Sequence, residues 1–189
     1  MTKPTKILVF AGSNSARSIN KQLAVHAANV LQGVMSTPVE IEVLDLNDYE
    51  MPIYSPERQQ AGLPQQAQDF FSKIGDSDGL IISLAEYNGS YSAAFKNIFD
   101  WCSRIDMAMF QQKPMLLMAT SPGPGGGQHV HRAATASFPF FGAKIASSFS
   151  FGPFGEHFDA ETESLKSPEL ADELKRAVVA LQAAISDTE

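Results

Sequence analysis

The segment Ala11-Gly12-Ser13-Asn14-Ser15-Ala16-Arg17-Ser18-Ile19-Asn20 crowds three hydroxyls and a guanidinium among small residues, a combination suited to holding an anion. It follows the apolar, β-favouring run Lys6 to Ala11, the pattern of a strand covered on both faces. After it, Leu23, Ala27, Leu31 and Val34 recur at helical spacing. A helix N-terminus therefore meets the loop, and its free N–H groups and positive dipole end favour negative charge. Ser13, Ser15 and Ser18 add hydroxyl donors, and Gly12 lets the backbone come close. The plainer alternative is an ordinary strand-to-helix turn capped by Ser18 or Asn20. The common nucleotide motifs are missing. No Gly-Lys pair exists to end a P-loop, and the Gly-dense segment from Gly123 to Gly127 places Gln128 where G-x-G-x-x-G needs its last glycine.

Two further segments have the composition of ligand loops. Ala85-Glu86-Tyr87-Asn88-Gly89-Ser90-Tyr91 follows the apolar run Gly79 to Leu84. Ser121-Pro122-Gly123-Pro124-Gly125-Gly126-Gly127 follows Pro114 to Ala119. Each leaves the carboxyl end of an expected strand. Val39 to Leu44 alternates apolar and acidic residues, as a strand at or near a sheet edge does, and Ala143 to Phe151 is a weaker fifth strand. Helices are expected around Ala67, Phe70, Phe71 and Ile74, stopping at Gly75, then around Phe95 to Ile105, and from Gln128 to Phe138. A last one has Ser167 as cap, Pro168 in the first turn and Leu170, Leu174, Val178, Leu181 and Ile185 on one face. The stretch from Asp45 to Gly62 lacks periodicity and reads as a functional loop or an interface arm.

Alternating strands and helices give an α/β fold with a parallel sheet covered on both faces, strand order 2-1-3-4-5, in one domain over residues 1–189. In such sheets the ligand lies beyond the carboxyl ends of the strands, at the switch point between strands 1 and 3. All three loops reach that place. A flavin mononucleotide (FMN) fits, with its phosphate on the first loop and its ring between the other two.

Bulk properties narrow the function. A net charge of −7 argues against a nucleic-acid surface, while a local set of amides and hydroxyls still binds a small anion. The single Cys102 excludes an intrachain disulfide and a cysteine-rich metal site, and beside Trp101 it reads as a buried thiol. His26, His129, His131 and His157 form no metal-ligand spacing, and His129 and His131, two apart on a helix, are expected at the surface. No apolar run reaches the length of a membrane span or a signal-peptide core, so a cytoplasmic location is expected.

The motifs Gly12-Ser13-x-x-x-x-Ser18-x-Asn20, Glu86-Tyr87-Asn88-Gly89-Ser90 with Lys96-Asn97-x-x-Asp100-Trp101, and Ser121-x-Gly123-x-x-Gly126-Gly127 together resemble the NADPH-dependent FMN reductase family. That family includes chromate, quinone and azo-dye reductases with a flavodoxin-like fold. The sequence departs from the usual pattern at Ser15, where the family commonly has Arg, and at Ala85, where it commonly has Pro. Arg17 is the available substitute for the missing charge. The resemblance implies that Ser13, Ser15, Ser18 and Asn20 hold the FMN phosphate beside the Ile19 backbone. It implies that Glu86, Tyr87 and Asn88 lie along the ribityl chain and ring, and that Ser121, Gly123 and Gly126 line the other side. It also implies a homodimer or homotetramer.

Other readings of these residues remain open at this point. Glu86 can cap the third helix, Tyr87 can be a surface aromatic, and Lys96 and Asp100 can pair on a helix. Phe138, Phe140, Phe141, Phe149, Phe151, Phe154 and Phe158 are expected in the core and a dimer contact, or otherwise as a lid. The expected activity is FMN-dependent oxidoreduction, in a ping-pong cycle from NADPH or NADH to a small acceptor such as a quinone, flavin, azo dye or metal oxyanion. No protein acid, base or nucleophile is required, so no catalytic residue is assigned. The alternative is a flavodoxin-type electron carrier docking to redox proteins. A serine hydrolase is disfavoured by the absence of a G-x-S-x-G elbow.

Overall fold

The computed structural model describes residues 3–187. Its centre is a five-stranded parallel sheet of β1 (Thr5–Gly12), β2 (Val39–Leu44), β3 (Gly79–Leu84), β4 (Pro114–Thr120) and β5 (Lys144–Phe151). The spatial order is β2-β1-β3-β4-β5, as expected from the sequence. The three central strands are almost wholly buried, which is why they read as continuous apolar runs. β2 is an edge, and its outer acids are paired by lysines of neighbouring elements, Glu40 with Lys6 and Glu42 with Lys73.

Five main helices cover the sheet: α1 (Ile19–Val34), α2 (Gln65–Gly75), α3 (Ala93–Ile105), α4 (Gln128–Ser137) and α5 (Pro168–Ser186). α1 and α5 pack on Ile7, Val9, Ile81, Leu116 and Met118. α2, α3 and α4 pack on the other face, against Leu8, Phe10, Leu80, Ile82 and Leu117. The result is a flavodoxin-like three-layer sandwich. Its polar caps follow local rules: Ser18, Ser92 and Ser167 each accept an N–H bond from the residue three positions on, at the starts of α1, α3 and α5. Among the described residues no helix is long and apolar enough to cross a membrane.

Several features differ from the sequence expectation, among them a 3-10 turn, Leu46–Tyr49, and a short helix, Pro56–Gln60, in the 45–62 stretch. The stretch 85–91 contains a two-residue hairpin, Glu86–Tyr87 against Ser90–Tyr91, turned by Asn88 and Gly89 with φ of +52° and +75°. Positive φ at both central residues is what the tight hairpin turn demands, and Asn-Gly tolerates it. Residues 152–166, between β5 and α5, make an excursion with a one-turn helix, Phe154–His157, and a short hairpin. The phenylalanines also separate into two groups on opposite faces. Phe138 joins the α3 side with Phe99 and Phe110, whereas Phe149, Phe151, Phe154 and Phe158 join the α1 and α5 side. Phe140 belongs to neither and is 82% exposed.

Candidate functional site

At the carboxyl ends of β1, β3 and β4 lies a cleft of about 320 Å³, lined by the stretches 13–20, 85–87 and 120–122. It brings together Ser13, Ser15, Arg17, Ser18, Ile19, Asn20, Glu86, Tyr87 and Ser121. Ala85, Thr120 and Pro122 also line it and were given no ligand role from the sequence. Asn88 stands at the exposed hairpin tip, and Gly123 and Gly126 lie outside the lining.

The first stretch is wound by its own serines. Ser13 Oγ accepts from Ser15 N at 3.2 Å, Ser15 Oγ from Arg17 N at 3.3 Å, and Ser18 Oγ from Lys21 N at 3.2 Å. Each hydroxyl that accepts a backbone proton keeps its own hydrogen to donate. The N–H groups of the first turn of α1 add donors without intrahelical partners. Arg17 is exposed and forms no ion pair among the described residues. Lys21, by contrast, is committed to Asp45 at 2.8 Å. That bond is the leading reason the Asp45 carboxyl titrates below its ordinary value. The loop thus carries a cation and several donors with no carboxylate among its own residues, which is the chemistry an anion requires.

Asn20 is 2% exposed and spends most of its capacity inside the protein. Its Oδ1 accepts from Ser83 Oγ at 2.7 Å and Thr120 N at 3.0 Å, and its Nδ2 donates to Thr120 O at 3.1 Å. One side chain therefore ties the first turn of α1 to β3 and to the end of β4. The anion loop is held at a fixed place against the strands that carry the other two loops.

The other side of the cleft is assembled differently. Glu86 caps the fourth helix, whereas the cap of the third helix is Ser92, whose hydroxyl also donates to Gly12 O at 2.8 Å. Burial alone would raise the Glu86 carboxyl, but hydrogen bonds from Val130 and His129 outweigh it and hold the group below its ordinary value. Ser121 Oγ donates to Gly123 O at 3.0 Å, closing the start of the 121–127 loop. Gly126 has φ +59°, and a Cβ there would come within 2.6 Å of the Phe151 carbonyl carbon. A Cβ on Gly152 would come within 2.7 Å of Gly126 Cα. These glycines let the 121–127 loop and the end of β5 pack backbone to backbone.

Tyr87 is 51% exposed at the mouth, as a surface aromatic. His129 is exposed as expected, but His131 is half-buried against the sheet, and burial lowers its pKa. Lys96 pairs with Asp100 at 2.7 Å on α3, while Trp101 is buried with Nε1 donating to Pro52 O at 2.7 Å. Among the described residues no group of three His, Cys, Asp or Glu side chains is placed to hold a metal ion.

Comparison with known proteins decides the family. Residues 5–156 match the family model described as NADPH-dependent FMN reductase. The chain belongs to this family. It is 35% identical over 122 residues to a 2-hydroxy-1,4-benzoquinone reductase of a Burkholderia species, covering 64% of this chain and 63% of that protein. It is 29% identical over 126 residues to an NAD(P)H-dependent FMN reductase of Pseudomonas aeruginosa, covering 67% of this chain and 65% of that one. The chain thus spans less than two thirds of the length of these two relatives. Among solved structures, the flavoenzyme NAD(P)H:(acceptor) oxidoreductase of Paracoccus denitrificans superposes with a TM-score of 0.73 at 24% identity, covering 97% of this chain and 98% of that one. This reductase-family chain therefore has the fold of a known flavoenzyme, and its cleft lies where that fold class binds its ligand.

Proposed function

We propose that the protein is an FMN-dependent NAD(P)H oxidoreductase that reduces a small acceptor, with a quinone as the leading class. The observation that carries this reading is the cleft at the switch point of the sheet, which gathers the anion donors of 13–19 with the 85–87 and 120–122 loops. These residues fit FMN. The hydroxyls of Ser13, Ser15 and Ser18, the Arg17 guanidinium and the first-turn amides of α1 would hold the phosphate. Backbone groups of 85–87 and 120–122 would flank the ring, with Tyr87 at its edge.

Bound there, FMN would supply the redox chemistry, hydride transfer between NADPH or NADH and the acceptor in a ping-pong cycle. The chain's part is to bind and orient. Asn20 fixes the anion loop against β3 and β4, so a phosphate held there would be positioned relative to the two upper loops. Among the described residues Tyr87 is the one aromatic lining the cleft, which would leave a face of the ring accessible to small molecules. An electron carrier that sandwiches its flavin between aromatics would not be built this way. The reading includes one domain and a homodimer or homotetramer, with α3 and the 45–62 stretch as the contact.

The test is anaerobic stopped-flow absorbance of the FMN-reconstituted protein mixed with NADH and, separately, NADPH. Rapid bleaching of the oxidised-flavin band is the expected result and identifies the donor. No bleaching with flavin bound favours the carrier. Failure to retain FMN overturns the assignment of the 13–20 loop.

A further inference from the structure

Helix α4 begins at Gly127, which adopts a left-handed conformation and has no side chain with which to satisfy the free N–H groups that follow. The missing cap comes from a residue more than forty positions earlier. Glu86 Oε2 accepts from His129 N at 2.8 Å and from Val130 N at 3.0 Å, and Oε1 lies 3.1 Å from His129 Nδ1. The carboxylate side chain is only 18% exposed. A negative group on two first-turn amides is the favourable arrangement at the positive end of a helix.

The position of this contact gives it a role beyond capping. Glu86 belongs to the hairpin whose first residues line one side of the cleft, and α4 starts at the end of the 121–127 loop, whose Ser121 and Pro122 line the cleft with Thr120. Resting on the FMN reading above, we propose that Glu86 is a positioning residue, a latch that sets the spacing of the two ring-binding walls through the α4 N-terminus rather than by bonding the cofactor. Both oxygens are engaged with α4, so the latch stands before any ligand arrives. A cleft whose walls are already joined loses less freedom on binding, and affinity gains accordingly.

The test uses the full chain in apo form and two variants, Glu86→Ala and Glu86→Gln. In the glutamine variant the amide oxygen can take the place of Oε2 and retain both backbone bonds. Hydrogen exchange of the apoprotein at the His129 and Val130 amides is expected to speed up about tenfold or more in Glu86→Ala and to stay within about threefold of wild type in Glu86→Gln. FMN affinity, from quenching of flavin fluorescence, is expected to follow the same pattern, with about a tenfold loss and then rescue.

Unchanged exchange in Glu86→Ala would show that no latch exists. Faster exchange with unchanged FMN affinity would show a cap with no bearing on the cofactor. A glutamine variant with normal exchange but alanine-like FMN affinity would make Glu86 a direct ligand instead. Each of these overturns the proposal. If Glu86→Ala does not fold by circular dichroism, His129→Ala removes the Oε1 contact alone and is expected to give a smaller change in the same direction, its absence counting against the latch. Failure of the wild-type protein to bind FMN sinks the functional reading, and the exchange arm then judges separately whether the walls are joined.

Discussion

The two ends of the cleft are built on opposite principles. The anion loop of 13–20 is wound by bonds between residues two or three apart, and it leaves hydroxyl hydrogens, first-turn amides and the Arg17 guanidinium available. The walls at 85–87 and 120–122 are held by contacts distant in sequence, and their polar groups are largely consumed: Glu86 by α4, the Thr120 hydroxyl by the Phe151 carbonyl, and the Ser121 carbonyl by Phe154 N. Affinity for charge resides at the local end, and shape resides at the assembled end. Substitutions at the first should weaken FMN binding with the fold intact, and substitutions at the second should act through stability and geometry.

The largest effect is expected at the backbone contact behind the 121–127 loop. Gly152→Ala places a methyl against the Gly123 carbonyl and Gly126, neither of which has a flexible side chain to yield. We expect about 3 kcal/mol of destabilisation, read as a loss of roughly 6–12 °C in Tm by calorimetry. Gly155→Ala, three residues on with nothing within 4 Å of its Cβ, is the control and should change little. Asn20 is the joint between the two ends. Asn20→Ala leaves Ser83 Oγ and the Thr120 amide without their acceptor, and urea denaturation should show a loss of about 2–3 kcal/mol.

At the local end, Arg17→Ala should leave Tm unchanged and raise the FMN dissociation constant about tenfold, or about 1.4 kcal/mol, with a shallower salt dependence. An equal fall in Tm would break the contrast. Acid should act on the assembled side. Burial lowers the pKa of His131 on α4, and likewise that of His26 on α1, so the unfolded chain takes up protons first as pH falls. The stability they contribute is complete above about pH 6.5 and declines as pH drops from there toward the depressed folded values. His131→Gln should flatten the stability profile across that window in denaturant titrations at successive pH values. The smallest effect belongs to neither end: breaking the exposed Lys96–Asp100 pair with Lys96→Ala should cost less than about 0.5 kcal/mol.

The same division explains what the sequence made legible. Fully buried parallel strands and serine-capped helices carry their signal in neighbouring residues, so the sheet order and the lining of the cleft by 13–20 could be read directly. The hairpin at Asn88-Gly89 also had its signal in place, the Asn-Gly pair, but the flanking strands are too short to show alternation. The Glu86 contact spans 43 residues and the Asn20 to Thr120 contact 100, and no local pattern announces either. Gly126 looked like a surface for a flat ring because the residues it faces, Phe151 and Gly152, arrive from another strand. Composition shows that backbone approaches closely there without naming what approaches.

Cys102 lies on α3 with its sulfur wholly enclosed, and burial pushes its thiol up to about 12. That shift disfavours the thiolate, the form that electrophiles and peroxides attack, at neutral pH. Quinones alkylate thiols, and reduced flavins exposed to oxygen generate peroxide. If the proposed activity holds, turnover would expose the protein to such compounds, and the buried Cys102 offers them no accessible sulfhydryl. Its working lifetime under oxidising load should therefore be limited by methionine oxidation, beginning among the described residues with the 64% exposed Met107, before its lone cysteine is touched.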